Sequence, residues 1–141
     1  MIFQLHRWLK GRLAVVVADS SYALLDLLNA VKSTVSFITR LRLDAALYDL
    51  APPRPAGKLG PNPLKGKRQP TLAQRLTDPT TQSPSVAVSQ WYGEKDKEIK
   101  IATGTALCYH IGMPSVVIKW VLLQDEHTAK ERQRCCRPTQ S

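Results

Sequence analysis

Val15-Val16-Val17-Ala18-Asp19-Ser20-Ser21-Tyr22 is the stretch on which the fold turns. The run from Leu13 to Ala18 is continuously apolar, without polar alternation, and predicts a strand buried on both faces, as in a mostly parallel sheet. Asp19, Ser20 and Ser21 follow with helix N-cap chemistry, and Leu24, Leu25, Leu28 and Val31 then recur as an apolar helical stripe. Val35 to Leu41 is β-rich again, at the distance of a parallel neighbour reached through a crossover helix. Upstream, Ile2, Leu5, Trp8 and Leu9 are spaced as one face of a short amphipathic helix ending at Gly11. Residues 1–44 therefore read as strand, helix, strand, the unit of an α/β fold.

Asp19 ends the first strand just before a helix, where α/β sheets bind ligands. A carboxylate there suits Mg²⁺, which takes hard oxygen ligands and only one or two from protein. Helix capping through backbone N–H groups explains the same residue equally well. The local pattern leaves both roles open.

Residues 45–84 change character. Eight of the ten prolines fall between Pro52 and Pro84, and with Gly57, Gly60 and Gly66 they exclude a long helix or a central strand. Between Leu50 and Thr77 there are six cations, Arg54, Lys58, Lys65, Lys67, Arg68 and Arg75, and no carboxylate. Residues 85–125 are β-rich. Val86 and Val88 alternate with small or polar residues, Gly93 to Asp96 makes a polar turn, and Ile99 and Ile101 alternate on the return, which predicts an antiparallel hairpin. Ser115 to Leu123 is nearly apolar on both faces and belongs near the middle of a sheet. Beyond Asp125 the pattern stops: Thr128 to Ser141 reads TAKERQRCCRPTQS, with Ala129 its only aliphatic residue.

The 141 residues allow one ordinary domain, and 20 Lys+Arg against 11 Asp+Glu give a net charge of +9. Such a surface repels cationic partners and suits a polyanion. Cys108, Cys135 and Cys136 form no disulfide framework and no zinc spacing, which agrees with a reduced, cytoplasmic setting. Leu13 to Ala18, the longest apolar run, falls far short of the ~20 residues of a membrane helix and of a secretory signal core. His6, His110 and His127 are scattered and define no site.

VVVADSSYALLDLL (15–28), VSFITRLRLDAALYDLAPPR (35–54), GKLGPNPLKGKRQPTL (57–72) and VSQWYGEKDKEIKIATGTALCYHIGMPSVVIKWVLLQDE (88–126) together resemble, in this order, the middle of bacterial insertion-sequence transposases with a DDE catalytic domain. The resemblance runs from about Arg7 to Asp125 and is carried best by TRLRLDAALYD, the basic GPxxLKGKR loop and WYG. It implies an α/β fold: a partial ribonuclease-H-like core of strand, helix and strand, with a β-rich insertion and a long proline-rich basic loop. It also implies DNA as partner and Mg²⁺ or Mn²⁺ as cofactor of the intact enzyme. In the family, two ions about 3.5 to 4 Å apart activate the nucleophile and stabilise the leaving oxygen.

By motif Asp19 matches the second of the family's three carboxylates, a catalytic and metal-binding residue, and Tyr22 matches the aromatic residue that follows it. Neither the first Asp nor the Glu has a counterpart, since Glu126 and Glu131 stand in no family motif. Arg40, Arg42, Lys58, Lys65, Lys67 and Arg68 are the implied phosphate contacts, against the alternative of a solvated basic surface. Trp91 and Tyr92 could stack on bases or simply pack beside the turn.

The resulting expectation is a partial transposase domain over residues 1–125, inactive alone and holding no tightly bound metal. Residues 126–141 are expected to be an unstructured tail, read out of frame from near His127. Two other readings stay open: a basic nucleic-acid-binding module without catalysis, and a subunit completed by a second polypeptide.

Overall fold

The computed structural model describes residues 4, 7–10, 12–22, 24–57, 59–81, 83–91, 93–125 and 132–138. Strand β1, Val15–Ala18, leads through a 3-10 turn at Ser20–Tyr22 into helix α1, Leu25–Val31, and back into β2, Ser36–Thr39. β1 and β2 are parallel, with Val15 opposite Ser36 and Ala18 opposite Thr39, so the expected strand-helix-strand unit is present. The helix starts later than Asp19. Its N-cap is Leu24, which makes no side-chain cap, so the capping role expected of Asp19 to Ser21 is corrected.

The remaining elements are β3, Leu47–Tyr48; α2, Leu72–Thr77; β4, Ser85–Trp91; β5, Glu94–Cys108; β6, Val116–Asp125; and β7, Arg132–Pro138. The seven strands form one mixed sheet in the order β1-β2-β7-β6-β5-β3, with β4 also paired to β5, and the architecture is mixed α/β. β4 and β5 make the expected antiparallel hairpin, but its turn is tighter than expected, because Trp91 already pairs with Glu94 across Gly93 at φ +91°. β6 lies inside the sheet between β5 and β7, as its two apolar faces require.

Leu28 and Val31 of α1 pack against Phe37, Ile118, Trp120 and Leu122, and this layer is the core. Only one face of β1 reaches it. Val16 and Ala18 pack on the core, whereas Val15 is 51% and Val17 75% exposed. The expectation of burial on both faces is thus corrected. β1 lies at one edge of the sheet, and a β-branched run reports strand propensity without saying how many layers cover it.

Two further expectations change. Residues 45–84 are not loop throughout, since they contain β3 and α2. The helix is built by a capping box: Thr71 Oγ1 accepts from Gln74 N at 3.2 Å, and Gln74 Oε1 accepts from Thr71 N at 2.9 Å. The tail expected to be unstructured contributes β7, which pairs with β6 and touches β2 through Cys135 opposite Thr39. A strand in this slot satisfies backbone groups that would otherwise be orphaned between β2 and β6, a benefit that needs no apolar side chains. Of the expected N-terminal helix, Gln4, Arg7 and Trp8 have helical backbone; Ile2 and Leu5 lie outside the described residues.

Candidate nucleic-acid interface

Asp19 follows β1 directly and is exposed. Its Oδ1 accepts from Ser20 N at 2.6 Å and from Ser20 Oγ at 3.3 Å, while Oδ2 has no partner among the described residues. Thr39 at the end of β2 donates its hydroxyl to the Asp19 carbonyl at 2.8 Å, tying the two strand ends together. Parallel pairing therefore brings Arg40, the next residue and also exposed, to the same end of the sheet as Asp19.

One carboxylate oxygen can take a single hard cation whose other ligands are water. A two-ion centre needs several carboxylates converging on one point, and no group of three His, Cys, Asp or Glu does so among the described residues. These residues do not make up such a centre on their own. A cavity of about 310 Å³ beside the end of α2 has Arg75, Asp78, Thr81 and Lys100 in its wall, but not Asp19.

Arg42 does not present a free fork. It forms a bidentate pair with Asp44, Nε to Oδ1 at 2.9 Å and Nη2 to Oδ2 at 2.7 Å, with both side chains exposed. The hydrogen bonds from Arg42 hold the Asp44 carboxyl below its ordinary 3.8 and raise the guanidinium. Because the folded-state value is the lower one, the contribution of this pair is complete above about pH 3.8 and is lost as pH falls through the depressed value. An NMR titration of the Asp44 carboxyl should show this, with the midpoint returning to the ordinary value in Arg42→Ala.

The basic loop ends in an ordered strip. Asp49 N donates to Lys67 O at 2.8 Å, Gly66 N to Asp49 O at 2.9 Å, and Gln69 N to Leu47 O at 2.8 Å, so residues 66–69 run antiparallel beside β3. Gln69 also donates to Asp49 Oδ1 at 2.8 Å and to Thr105 O at 3.1 Å, which fastens the strip to β5. Gly66 explains the closeness: a Cβ there would lie 2.6 Å from Leu50 O and 2.9 Å from Asp49 Cβ. Lys67 and Arg68 are exposed, with no side-chain partner among the described residues. Lys65 Nζ stands over two rings, 4.2 Å from the centroid of Tyr48 and 4.5 Å from that of Tyr109. Lys58, Tyr92 and the side chain of Trp91 lie outside the described residues.

Five strand spacings separate β1 from β3, about 24 Å at ~4.8 Å each. The structure thus groups Asp19 with Arg40 at one edge, and Lys65, Lys67 and Arg68 at the other. Sequence reasoning missed Tyr48, Tyr109 and Gln69. Only Gln69 carried a signal, as a polar residue closing the basic run just before Pro70.

No curated protein and no solved structure matches the chain. A family model described as DDE superfamily endonuclease matches residues 1–93, a span that holds Asp19 and the entire basic loop. The chain belongs to the DDE endonuclease superfamily.

Proposed function

We propose that this chain is the DNA-engaging part of a DDE transposase of ribonuclease-H-like fold, supplying one catalytic carboxylate, Asp19, and a preformed phosphate-binding strip. The observation that carries this reading is the strip itself. A flexible cationic loop would serve any basic protein, but here two cations without a side-chain partner among the described residues, Lys67 and Arg68, are held by backbone pairing to β3. Ordered cations on a sheet edge contact phosphates without prior loss of loop entropy. Arg40 joins them from the Asp19 end. The parent activity is metal-dependent DNA cleavage and strand transfer.

Asp19 alone does not complete that chemistry. Oδ2, which has no partner among the described residues, is open to one divalent ion, and on this reading further polypeptide segments supply the other carboxylates. The outer edge of β1, unpaired among the described residues, and its open face at Val15 and Val17 support this reading of an incomplete site. The chain by itself should therefore bind duplex DNA at low salt and fail to nick supercoiled plasmid in Mg²⁺ or Mn²⁺. Nicking that disappears in Asp19→Asn would refute the incompleteness, and no DNA binding at 50 mM salt would refute the interface.

A second reading, a basic binding module without metal chemistry, is favoured by one observation: Asp19 Oδ1 already serves the turn at Ser20. Mn²⁺ relaxation separates the two readings. Weak binding lost in Asp19→Asn supports the transposase reading, and binding indifferent to that change supports the module.

The Arg42–Asp44 pair adds a test in the opposite direction. Asp44→Asn releases a cation beside the Asp19 end. It should steepen the logarithmic salt dependence of DNA affinity by up to about 0.9, the value of one phosphate neutralised.

A further inference from the structure

We infer that Lys65 is the latch of the DNA-binding strip, a positioning residue held in a corner between Tyr48 and Tyr109, and that phosphate contact falls to Lys67 and Arg68. This assignment rests on the DNA-binding reading above for its purpose, though not for its geometry.

The two rings meet edge to face, with centroids 6.2 Å apart and planes at 87°, so they form a corner rather than a stack. The Lys65 ammonium sits in that corner, within reach of both rings. Ring faces attract a cation through their quadrupole, and two faces at right angles fix its position better than one. The rings come from different elements. Tyr48 belongs to β3, and Tyr109 follows the end of β5, so the lysine bridges the two strands on which the strip lies.

Its place along the chain gives this contact leverage. Lys65 immediately precedes Gly66, whose amide begins the backbone pairing with Asp49, and that pairing sets the register of Lys67 and Arg68. A clamp at this point resists peeling of the strip from its loop end. An ammonium committed to two rings is also poorly placed to displace counterions from DNA. Arg75, another of the loop's six cations, is likewise committed: its guanidinium lies 5.0 Å from the Trp120 ring centroid.

The test compares Lys65→Met, Lys65→Arg and Lys67→Met in the full chain, by amide exchange without DNA and by the salt dependence of binding to a duplex oligonucleotide. In Lys65→Met, the amides of Asp49, Gly66 and Gln69 should exchange about three- to tenfold faster, while amides of β6 are unchanged. Lys65→Arg, which keeps a cation for the rings, should stay within about twofold of the parent. The salt slope should persist in Lys65→Met and fall by about 0.9 in Lys67→Met. Unchanged exchange in Lys65→Met, or a slope lowered there by about 0.9, would overturn the latch. Faster exchange in a chain that binds no DNA at all would uphold the latch and reject the DNA-binding reading instead.

Discussion

Replacing Gly104 by valine should destabilise the domain by about 3 kcal/mol, at the upper end of the usual cost of overpacking. Gly104 of β5 lies directly opposite Trp120 of β6, and the indole occupies the space a side chain would need. A Cβ at this position would meet Cζ2 of the ring, with Cε2 at 2.7 Å and Nε1 at 3.0 Å. The ring cannot swing away cheaply. Trp120 is 2% exposed, sits in the core cluster with Phe37 and Ile118, and carries the Arg75 guanidinium on its face. Valine must therefore displace a packed tryptophan or bend the longest strand of the sheet. Thermal unfolding followed by circular dichroism should show a midpoint lower by about 10 °C, given a few degrees per kcal/mol for a chain of this size. A change below about 2 °C would mean that the Gly104–Trp120 pair is not packed as described.

The second large effect concerns binding. The double variant Lys67→Ala, Arg68→Ala should lose about 1.8 units of logarithmic salt slope, 0.9 for each phosphate contact. With Arg40, Lys67 and Arg68 in contact, affinity for duplex DNA should fall about fortyfold between 50 and 200 mM salt. In the double variant the same change of salt should cost only about three- to fourfold. Counting all six cations between Leu50 and Thr77 would give a slope of roughly −5, and two of them are expected to contribute less because they lie against aromatic rings. The Lys65 ammonium lies over the rings of Tyr48 and Tyr109, and the Arg75 guanidinium lies over that of Trp120. Fluorescence anisotropy across a salt series measures the slope directly, and a parent value near −5 would return the other cations to the interface.

The strand-helix-strand unit was legible because hydrophobic periodicity and β-branching act locally, and the central place of β6 followed from its two apolar faces. Exposure was not legible. Nothing in Leu13 to Ala18 says that β1 lies at an edge, because coverage is decided by which other elements arrive. The helix at Leu72 was overlooked beneath its flanking prolines, although Thr71-x-x-Gln74 carries a capping-box signature and Pro70 and Pro79 bracket it. The strand at Arg132–Pro138 had no side-chain signature, since its place depends on backbone groups contributed by β2 and β6.

At the candidate site the pattern is similar. Asp19 and the basic residues could be named from the chain, but their partners could not. The pairing of Arg42 with Asp44, two residues on, was within reach of sequence reasoning. The meeting of Lys65 with Tyr48 and Tyr109 was not, because it depends on how β3 registers against β5, with Tyr48 opposite Leu107.

The bonds between Asp49, Gly66 and Lys67 also make a neck. The chain leaves the sheet after Asp49 and rejoins it at Gly66, and Leu59 between them is 98% exposed. Once a neck is fixed, the length of what lies beyond it matters little, since each doubling of a flexible loop costs only about 0.6 kcal/mol. The region around Leu59 is thus a natural handle for engineering. An affinity tag or a fluorophore could be carried there without disturbing either edge of the sheet, and the protein could be tethered by it for single-molecule work.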